Sequence, residues 1–479
     1  MHPMSDIMKI QSNKNQTGKV HTTMINQNNP SEQTNIAFLK AFKALKLTGL
    51  LRDSGIRKAQ GIKVTRVFEL LLLLAFQGKN LYRYLDSKYQ ETAASKNTYY
   101  RFLNTSTYNW RRFLSSLSAK VISSFSRLTR PDRIKVFVLD DSVISRNRSK
   151  HVELLANLYD HADHRFIKGF TMLALGWTDG YSFVPTDFAM MSSASKQNRL
   201  QEVSEAIDKR TSGYKRRSEA IKKKTDVAVQ MIRNALNQGI QADYVLMDTW
   251  FTHEPMIRSI LDEGLDEGLD VIGMVKQLKQ RYHYKEGFYT LPELRKLLPE
   301  HTPGNQFGSI IVKTKTGIPV KLVFVRNRNN KRDWLTVLST DLSLSDEEII
   351  RIYGNRWAIE VFFKSTKSLM KLGTEFQGRS YDMMISHTTI VFTRYILLEW
   401  LRRNEKDDKT LCELFFRLCD DIQDMALSTA LQSLMSVFVE QLNSVGSRKS
   451  TLLKNQLQLW IDSQASFIKA LFGQLGWES

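Results

Sequence analysis

The segment that constrains this chain most is residues 345–373, SDEEIIRIYGNRWAIEVFFKSTKSLMKLG. Ser345 followed three residues later by Glu348 makes a capping box, and Gly373 after the last lysine is a helix stop. The segment therefore reads as one long helix or two abutting ones. Tyr353, Arg356, Glu360, Lys364 and Lys367 follow one another at steps of three and four, so they share a face. Ile359, Phe362, Phe363 and Leu369 form the opposite, packing face. A merely solvated face would also carry Ser, Gln or Asn, whereas this one sets a carboxylate among cations and a tyrosine. The competing reading is a set of local ion pairs around Glu360.

Composition narrows the partners. Lys and Arg outnumber Asp and Glu by 69 to 49 over 479 residues, a net charge of +20. A surplus that large favours a polyanion, either nucleic acid or an anionic membrane. The longest apolar run, residues 70–76, is too short to span a bilayer, and the first residues show no charged-then-apolar signal. The expectation is therefore no membrane and a cytoplasmic, nucleoid-associated location. Cys412 and Cys419 lie seven apart in a helical pattern, as buried thiols rather than a disulfide or a zinc site.

Along the chain, residues 1–35 are rich in Asn, Gln, Thr and Ser and are expected to be a disordered leader. Residues 36–130 have a helical period. Within them SKNTYYRFLN at 95–104 reads either as the recognition helix of a helix-turn-helix or as an ordinary basic surface helix. At 133–139 the period changes, and RIKVFVL reads as a buried strand ending at Asp140-Asp141-Ser142. A hairpin follows, 170–177 and 181–188, turning at Asp179-Gly180. Eight cations between residues 209 and 224 have only Glu219 among them, and a phosphate backbone alongside would relieve their repulsion. A helix ending near Gly239 feeds a short strand, 244–247, that stops at Asp248. Taken alone, Asp248 reads as a helix N-cap. LDEGLDEGLD at 261–270 is a tandem copy of four residues, to which no function is assigned. Residues 271–342 are strand-rich, with strands at 271–275, 309–315, 320–326 and 334–339. Helical patterns resume after Gly373 and run to the end.

The spacing of Tyr353, Arg356, Glu360 and Lys367 resembles the Tyr-Arg-Glu-Lys signature of bacterial insertion-sequence transposases of the insertion-sequence-four type, which are DDE transposases with an RNase H-like core. Asp140 and Asp248, upstream at strand ends, complete the pattern. The resemblance implies an α/β protein whose catalytic core is an RNase H-like mixed sheet, with core parts at 131–270 and 343–375 separated by a β-rich insertion at 271–342. A helical DNA-binding domain at 36–130 would precede it, and a helical region at 376–479 would follow and serve dimerisation. It implies cut-and-paste transposition on double-stranded DNA, both transposon ends and target, by a homodimer. Arg356 and Lys367 would hold phosphates, Tyr353 would supply a hydroxyl to the same backbone, and Trp334 would either hold a flipped base or pack in the core. Asp140 and Asp141 point to opposite sides of a strand, so only one serves as first acid, and the resemblance implies Asp140, because the family shows Asp, a variable residue, then Thr or Ser.

The chemistry also follows from the residues. Asp140, Asp248 and Glu360 lie 108 and 112 residues apart, so only a folded core gathers them. A carboxylate-only site suits a hard cation, Mg²⁺ or in its place Mn²⁺, and two such ions would serve in-line phosphoryl transfer. The alternatives are a metal-dependent nuclease that never joins strands and a catalytically silent DNA-binding protein.

Overall fold

The computed structural model describes residues 37–422, apart from 87–93, 131, 161–162, 204–206, 265–267, 300–305, 328–332, 376–377 and 405–408, together with Leu452, Asn455, Gln456, Leu459 and Ser463. The leader expected at 1–35 and most of the helical tail lie outside these residues.

Six helices come first: α1 (Ala37–Ala44), α2 (Leu47–Asp53), α3 (Val64–Leu73), α4 (Leu81–Leu85), α5 (Lys96–Leu103) and α6 (Trp110–Ser126). Strands β1 (Val136–Ser145), β2 (Ala156–Asp160), β3 (Arg165–Thr178) and β4 (Phe183–Met191) follow, then α7 (Ser212–Ala220), α8 (Lys224–Asn237), β5 (Tyr244–Met247), α9 (Glu254–Gly264) and β6 (Asp270–Val275). Next come β7 (Arg281–Tyr284), β8 (Gly287–Thr290), α10 (Leu291–Arg295), β9 (Gln306–Lys313), β10 (Pro319–Arg326) and β11 (Trp334–Ser339). The last are α11 (Asp346–Gly354), α12 (Trp357–Ser368) and α13 (Tyr381–Asn404), with a further helix over residues 411–422.

Val136, Phe137, Val138 and Leu139 are all fully buried, because β1 lies mid-sheet with both faces covered. It pairs antiparallel with β3 and parallel with β5, and β5 pairs parallel with β6. With β4 on the far side of β3, the order β4-β3-β1-β5-β6 is that of an RNase H-like core. The strand expected to end at Asp140 does not end there: β1 continues to Ser145. Only its parallel partner stops, at Met247, while the antiparallel ladder with β3 carries on. The hairpin at Asp179-Gly180 forms as expected, and Gly180 takes φ 81.

Strand β11 pairs antiparallel with β6, then β10, β9, β7 and β8 follow, so the later strands extend the same sheet. Strands β10 and β11 match the expected segments, and β9 lies two to three residues earlier than expected. The β7–β8 hairpin and β2 have too little alternation in sequence to announce themselves. The first copy of the repeated LDEG closes α9, and most of the second falls at 265–267, outside the described residues.

Helix α13 is buried around nearly its whole circumference, packed by α1, α3, α5, α6, α12 and β4. Its apolar surface is therefore spent within the chain and is not offered to a second copy. Its Arg394 is fully buried and donates to Leu71 O (2.5 Å), Leu72 O (2.8 Å), Met370 O (2.9 Å) and both carboxylate oxygens of Glu375 (2.7 and 2.8 Å). One guanidinium thus ties α3 to α13 and to the segment after α12.

The basic stretch at 209–224 also differs from the expected phosphate-facing surface. Arg216 and Arg217 are buried rather than facing a partner. Arg217 donates to Glu153 (2.6 Å) and Asp382 (3.0 Å), and Arg216 pairs with Glu219, which Arg111 of α6 also grips while reaching Asp187. Besides the local Glu219 and Asp208, carboxylates from distant segments, Glu153, Asp382 and Asp141, neutralise the run, and these a local reading cannot see.

Asp179 closes the core at its other end. It accepts from the N–H groups of Tyr181 (3.1 Å) and Ser182 (3.0 Å), from Thr129 Oγ1 (3.0 Å) and from Arg403 Nη2 (2.8 Å). Burial alone would raise this carboxyl, but the Ser182 N–H and the Arg403 guanidinium outweigh it and hold it below the usual carboxylate range.

Two outcomes follow. Replacing Arg394 by Ala strands the Glu375 carboxylate in the core and is expected to cost about 3–5 kcal/mol in denaturant melts. Replacing Asp179 by Asn is expected to cost about 3 kcal/mol at pH 7. A depressed carboxyl stabilises above its unfolded pKa, so that gap between wild type and variant should close as pH falls below about 4.

Candidate active site

In the parallel ladder of β1 and β5, Leu139 pairs with Met247. The next residues are Asp140 and Asp248, so two acids 108 residues apart in sequence emerge side by side at one edge of the ladder. Asp140 stays in register with Ala174 of β3. Asp248 leaves the sheet in a tight turn, its Oδ1 accepting from the N–H groups of Trp250 (3.0 Å) and Phe251 (3.2 Å) while Thr252 Oγ1 donates to its carbonyl (2.6 Å). Because α9 begins only at Glu254, Asp248 caps this turn and not the helix, contrary to the N-cap reading. Gly273, the residue opposite Met247 on β6, lets the turn sit close: a Cβ there would lie 2.3 Å from Thr252 Oγ1.

The segment at 345–373 forms two abutting helices, with the capping box of Ser345 and Glu348 in place. Tyr353 lies on α11, Glu360 and Lys367 on α12, and Arg356 at the junction. The Arg356 guanidinium bridges two acids, donating through Nη1 to Asp140 Oδ2 (2.9 Å) and through Nη2 to Glu360 Oε1. The local ion pair expected from sequence is thus present, together with a second pairing across 216 residues. Lys367 Nζ donates to Ser142 Oγ (2.7 Å) and Val143 O (3.1 Å), further along β1. Lys364 is exposed.

The charges act on one another. Burial pushes the Asp140 carboxyl up to about 7, with Arg356 opposing the rise and Asp248 adding to it. Burial also raises Asp248, against the pull of the Phe251 and Trp250 N–H groups. The Tyr353 phenol is pushed up to about 12, first by burial and then by Asp248 and Asp140, with Arg356 opposing. Burial disfavours the Arg356 charge, yet Tyr353, Asp140 and Glu360 raise its pKa overall.

Asp141 has a partner of its own, Lys224 at the start of α8, which donates to Asp141 Oδ2 (2.6 Å), and its charge also adds to the rise of Asp248 and Asp140. The same ammonium lies 4.0 Å from the ring centroid of Trp250, which is 48% exposed and stacks edge-on with Phe251. Lys224 is expected only as one of the cations facing a phosphate backbone, and a role for Trp250 escaped the reading of the sequence. The available signal was an aromatic two residues after a strand-end Asp. Trp334, by contrast, is partly buried and packs against Phe324 at 5.5 Å between ring centroids.

Among the described residues, no group of three or more His, Cys, Asp or Glu side chains is arranged to hold a metal ion. The Arg356 guanidinium supplies the counter-charge between Asp140 and Glu360 instead. The donor set nevertheless fits a hard divalent cation: it is all carboxylate, and Asp140 and Asp248 both carry raised pKa values that a cation would relieve. Asp140, Asp248 and Glu360 are the residues that could hold it.

Replacing Arg356 by Gln leaves two partly buried carboxylates without their shared donor. It is expected to lower stability in EDTA by about 1.5–3 kcal/mol. Added Mg²⁺ should restore more stability to this variant than to the wild type, as read by thermal melts.

Two family comparisons bear on the site. DDE superfamily endonuclease matches over residues 66–290, which include Asp140 and Asp248. The archaeal ISC1217-type transposase family matches over residues 200–381, which include Asp248, Tyr353, Arg356, Glu360 and Lys367. No curated protein matches the chain. No helix among the described residues is long and apolar enough to cross a membrane. Two acids at one edge of an RNase H-like sheet, a third reached through Arg356 and these two matches together support a DDE transposase, of a superfamily whose nucleases generally use divalent metal ions.

Proposed function

We propose that this chain is a cut-and-paste DNA transposase of the insertion-sequence-four type, which binds the terminal inverted repeats of its element, nicks the DNA and transfers the freed strand to a target. The observation that carries the reading is the parallel register of Leu139 with Met247, which sets Asp140 beside Asp248, while Arg356 draws Glu360 to Asp140. Asp140, Asp248 and Glu360 would hold Mg²⁺, with Mn²⁺ able to substitute, and such ions supply activation of water or a 3′-hydroxyl and stabilisation of the departing oxygen.

The chain's own residues do the rest. Arg356, turned from the acids toward substrate, offers a planar fork to a phosphate. Tyr353, protonated at all ordinary pH because burial raises it, donates its hydroxyl to the same strand. Lys367 holds a phosphate along β1, beyond Asp140. Trp334 is the proposed holder of an unstacked base only if it leaves Phe324. Trp250 already exposes its indole beside Asp248 and is a second stacking candidate. Bringing two ends together for joining calls for a homodimer, and the functional partners are the element's ends and target duplex. In this reading residues 36–130 form the end-binding domain, 131–270 and 343–375 the core, 271–342 the insertion, and 376–479 the helical tail. The protein would act in the cytoplasm, at the nucleoid.

The test is a labelled duplex carrying the element's terminal repeat and flank, incubated with Mg²⁺ or with EDTA and resolved on a denaturing gel. Nicking at the repeat boundary that needs metal is the expected result, and a joined product with target DNA separates a transposase from a nuclease that only cuts. Replacing Asp248 by Asn should lower cleavage by at least about 1000-fold, several kcal/mol of barrier, while DNA affinity stays within about twofold. Retarded DNA that is never cut under any metal would leave a silent DNA-binding protein.

A further inference from the structure

The loop that follows β1 encloses a cleft of about 840 Å³ between residues 145–152 and the segment around Arg379. Of its ten lining residues four are cations, Arg146, Arg148, Lys150 and Arg379, and none is Asp or Glu. The cavity beside α8 and α9 shows that this is no general property of a basic chain, because there Arg233 is balanced by Asp226 and Asp262. The walls of the basic cleft are fixed by the backbone. Arg146 N donates to Lys168 O (2.6 Å), Lys168 N to Asn147 Oδ1 (2.8 Å), Ser149 N to Arg146 O (2.9 Å) and Glu153 N to Arg379 O (2.9 Å). Gln201 Nε2 secures the Lys150 carbonyl at 3.1 Å. Arg148, Lys150 and Arg379 are exposed, so they present charge to solvent from a braced concavity. Crowding like charges in this way is unfavourable unless a polyanion fills the space.

The cleft has a fixed relation to the candidate active site. Strand β1 continues from Asp140 to Ser145 at the edge of the cleft, about 17 Å at roughly 3.3 Å per residue. Lys367 bonds to Ser142 and Val143 midway, so a cation stands between the acids and the cleft. That distance corresponds to about five base pairs at 3.4 Å each. We propose that this cleft grips the sugar-phosphate backbone of duplex DNA about five base pairs from the phosphate being cut, through Arg148, Lys150 and Arg379. The assignment rests on the reading of Asp140, Asp248 and Glu360 as the place where DNA is cut.

The full chain carrying Arg148→Gln, Lys150→Gln and Arg379→Gln tests this by fluorescence anisotropy with duplex DNA in EDTA, titrated with salt. Loss of three phosphate contacts is expected to weaken binding about 10- to 100-fold near 0.1 M salt and to reduce the log–log salt slope by about 2.7. The melting midpoint should not move, since all three side chains are exposed. Neutral methylphosphonates placed four to six nucleotides from the cut should weaken the wild type and leave the variant unaffected. Equal affinity and slope in wild type and variant would overturn the cleft alone, as would a loss seen with duplex RNA and not with DNA. A wild type that binds no duplex would overturn the functional reading and the cleft together.

Discussion

Everything at the candidate site depends on one register, Leu139 of β1 against Met247 of β5. A slip of one residue in that ladder would turn the Asp248 side chain to the other face, since side chains alternate along a strand. The register is protected on both sides. Ten consecutive pairings hold β1 to β3, and on the far side the bare Gly273 lets Thr252 lock the turn that carries Asp248. Hydrophobic burial does the rest, because all four residues of β5 and the first four of β1 are buried.

The third acid is held by a different force. Helix α12 rides on the sheet through Phe362, which meets Phe183, Phe392 and Tyr395 at 4.8–5.1 Å between ring centroids. That packing sets the helix. Arg356 then aligns Glu360 with Asp140 by charge. Buried ion pairs contribute less to net stability than their contacts suggest, but several of those found here join segments far apart in sequence. Arg394 ties α3 to α13, Arg111 ties α6 to β4 and α7, and Arg217 ties α7 to α13 and to the segment before β2. The flanking helices are thereby fixed to the core by directional bonds rather than by apolar contact alone.

Much of this was legible in the sequence. The run at 136–139, the hairpin at Asp179-Gly180 and the capping box at Ser345 are local signals, and local physics placed them correctly. The helical segment at 345–373 reads as one helix or two, and the structure makes it two, broken at Gly354-Asn355. What escaped had long-range causes. Arg216 and Arg217 looked like a surface for phosphate because their carboxylate partners, Glu153, Asp187 and Asp382, lie up to 165 residues away. β1 was cut short at Asp140 because the change from apolar to polar residues marks the end of its parallel neighbour, not of the strand. Trp334 and Trp250 could not be ranked from sequence, since only packing distinguishes an indole laid on Phe324 from one open to solvent.

The separation of the acids along the chain also has a consequence for synthesis. β1 cannot complete its parallel ladder until residues 244–247 have been made, and Arg356 and Glu360 follow more than a hundred residues later. At about 5–20 residues per second, an interval of roughly 10–40 s separates Asp140 from Glu360 on the ribosome. Arg394, which fixes α13 against α3, comes later still. A nascent chain that stops short of residue 356 therefore brings at most Asp140 and Asp248 together, without Arg356 and Glu360.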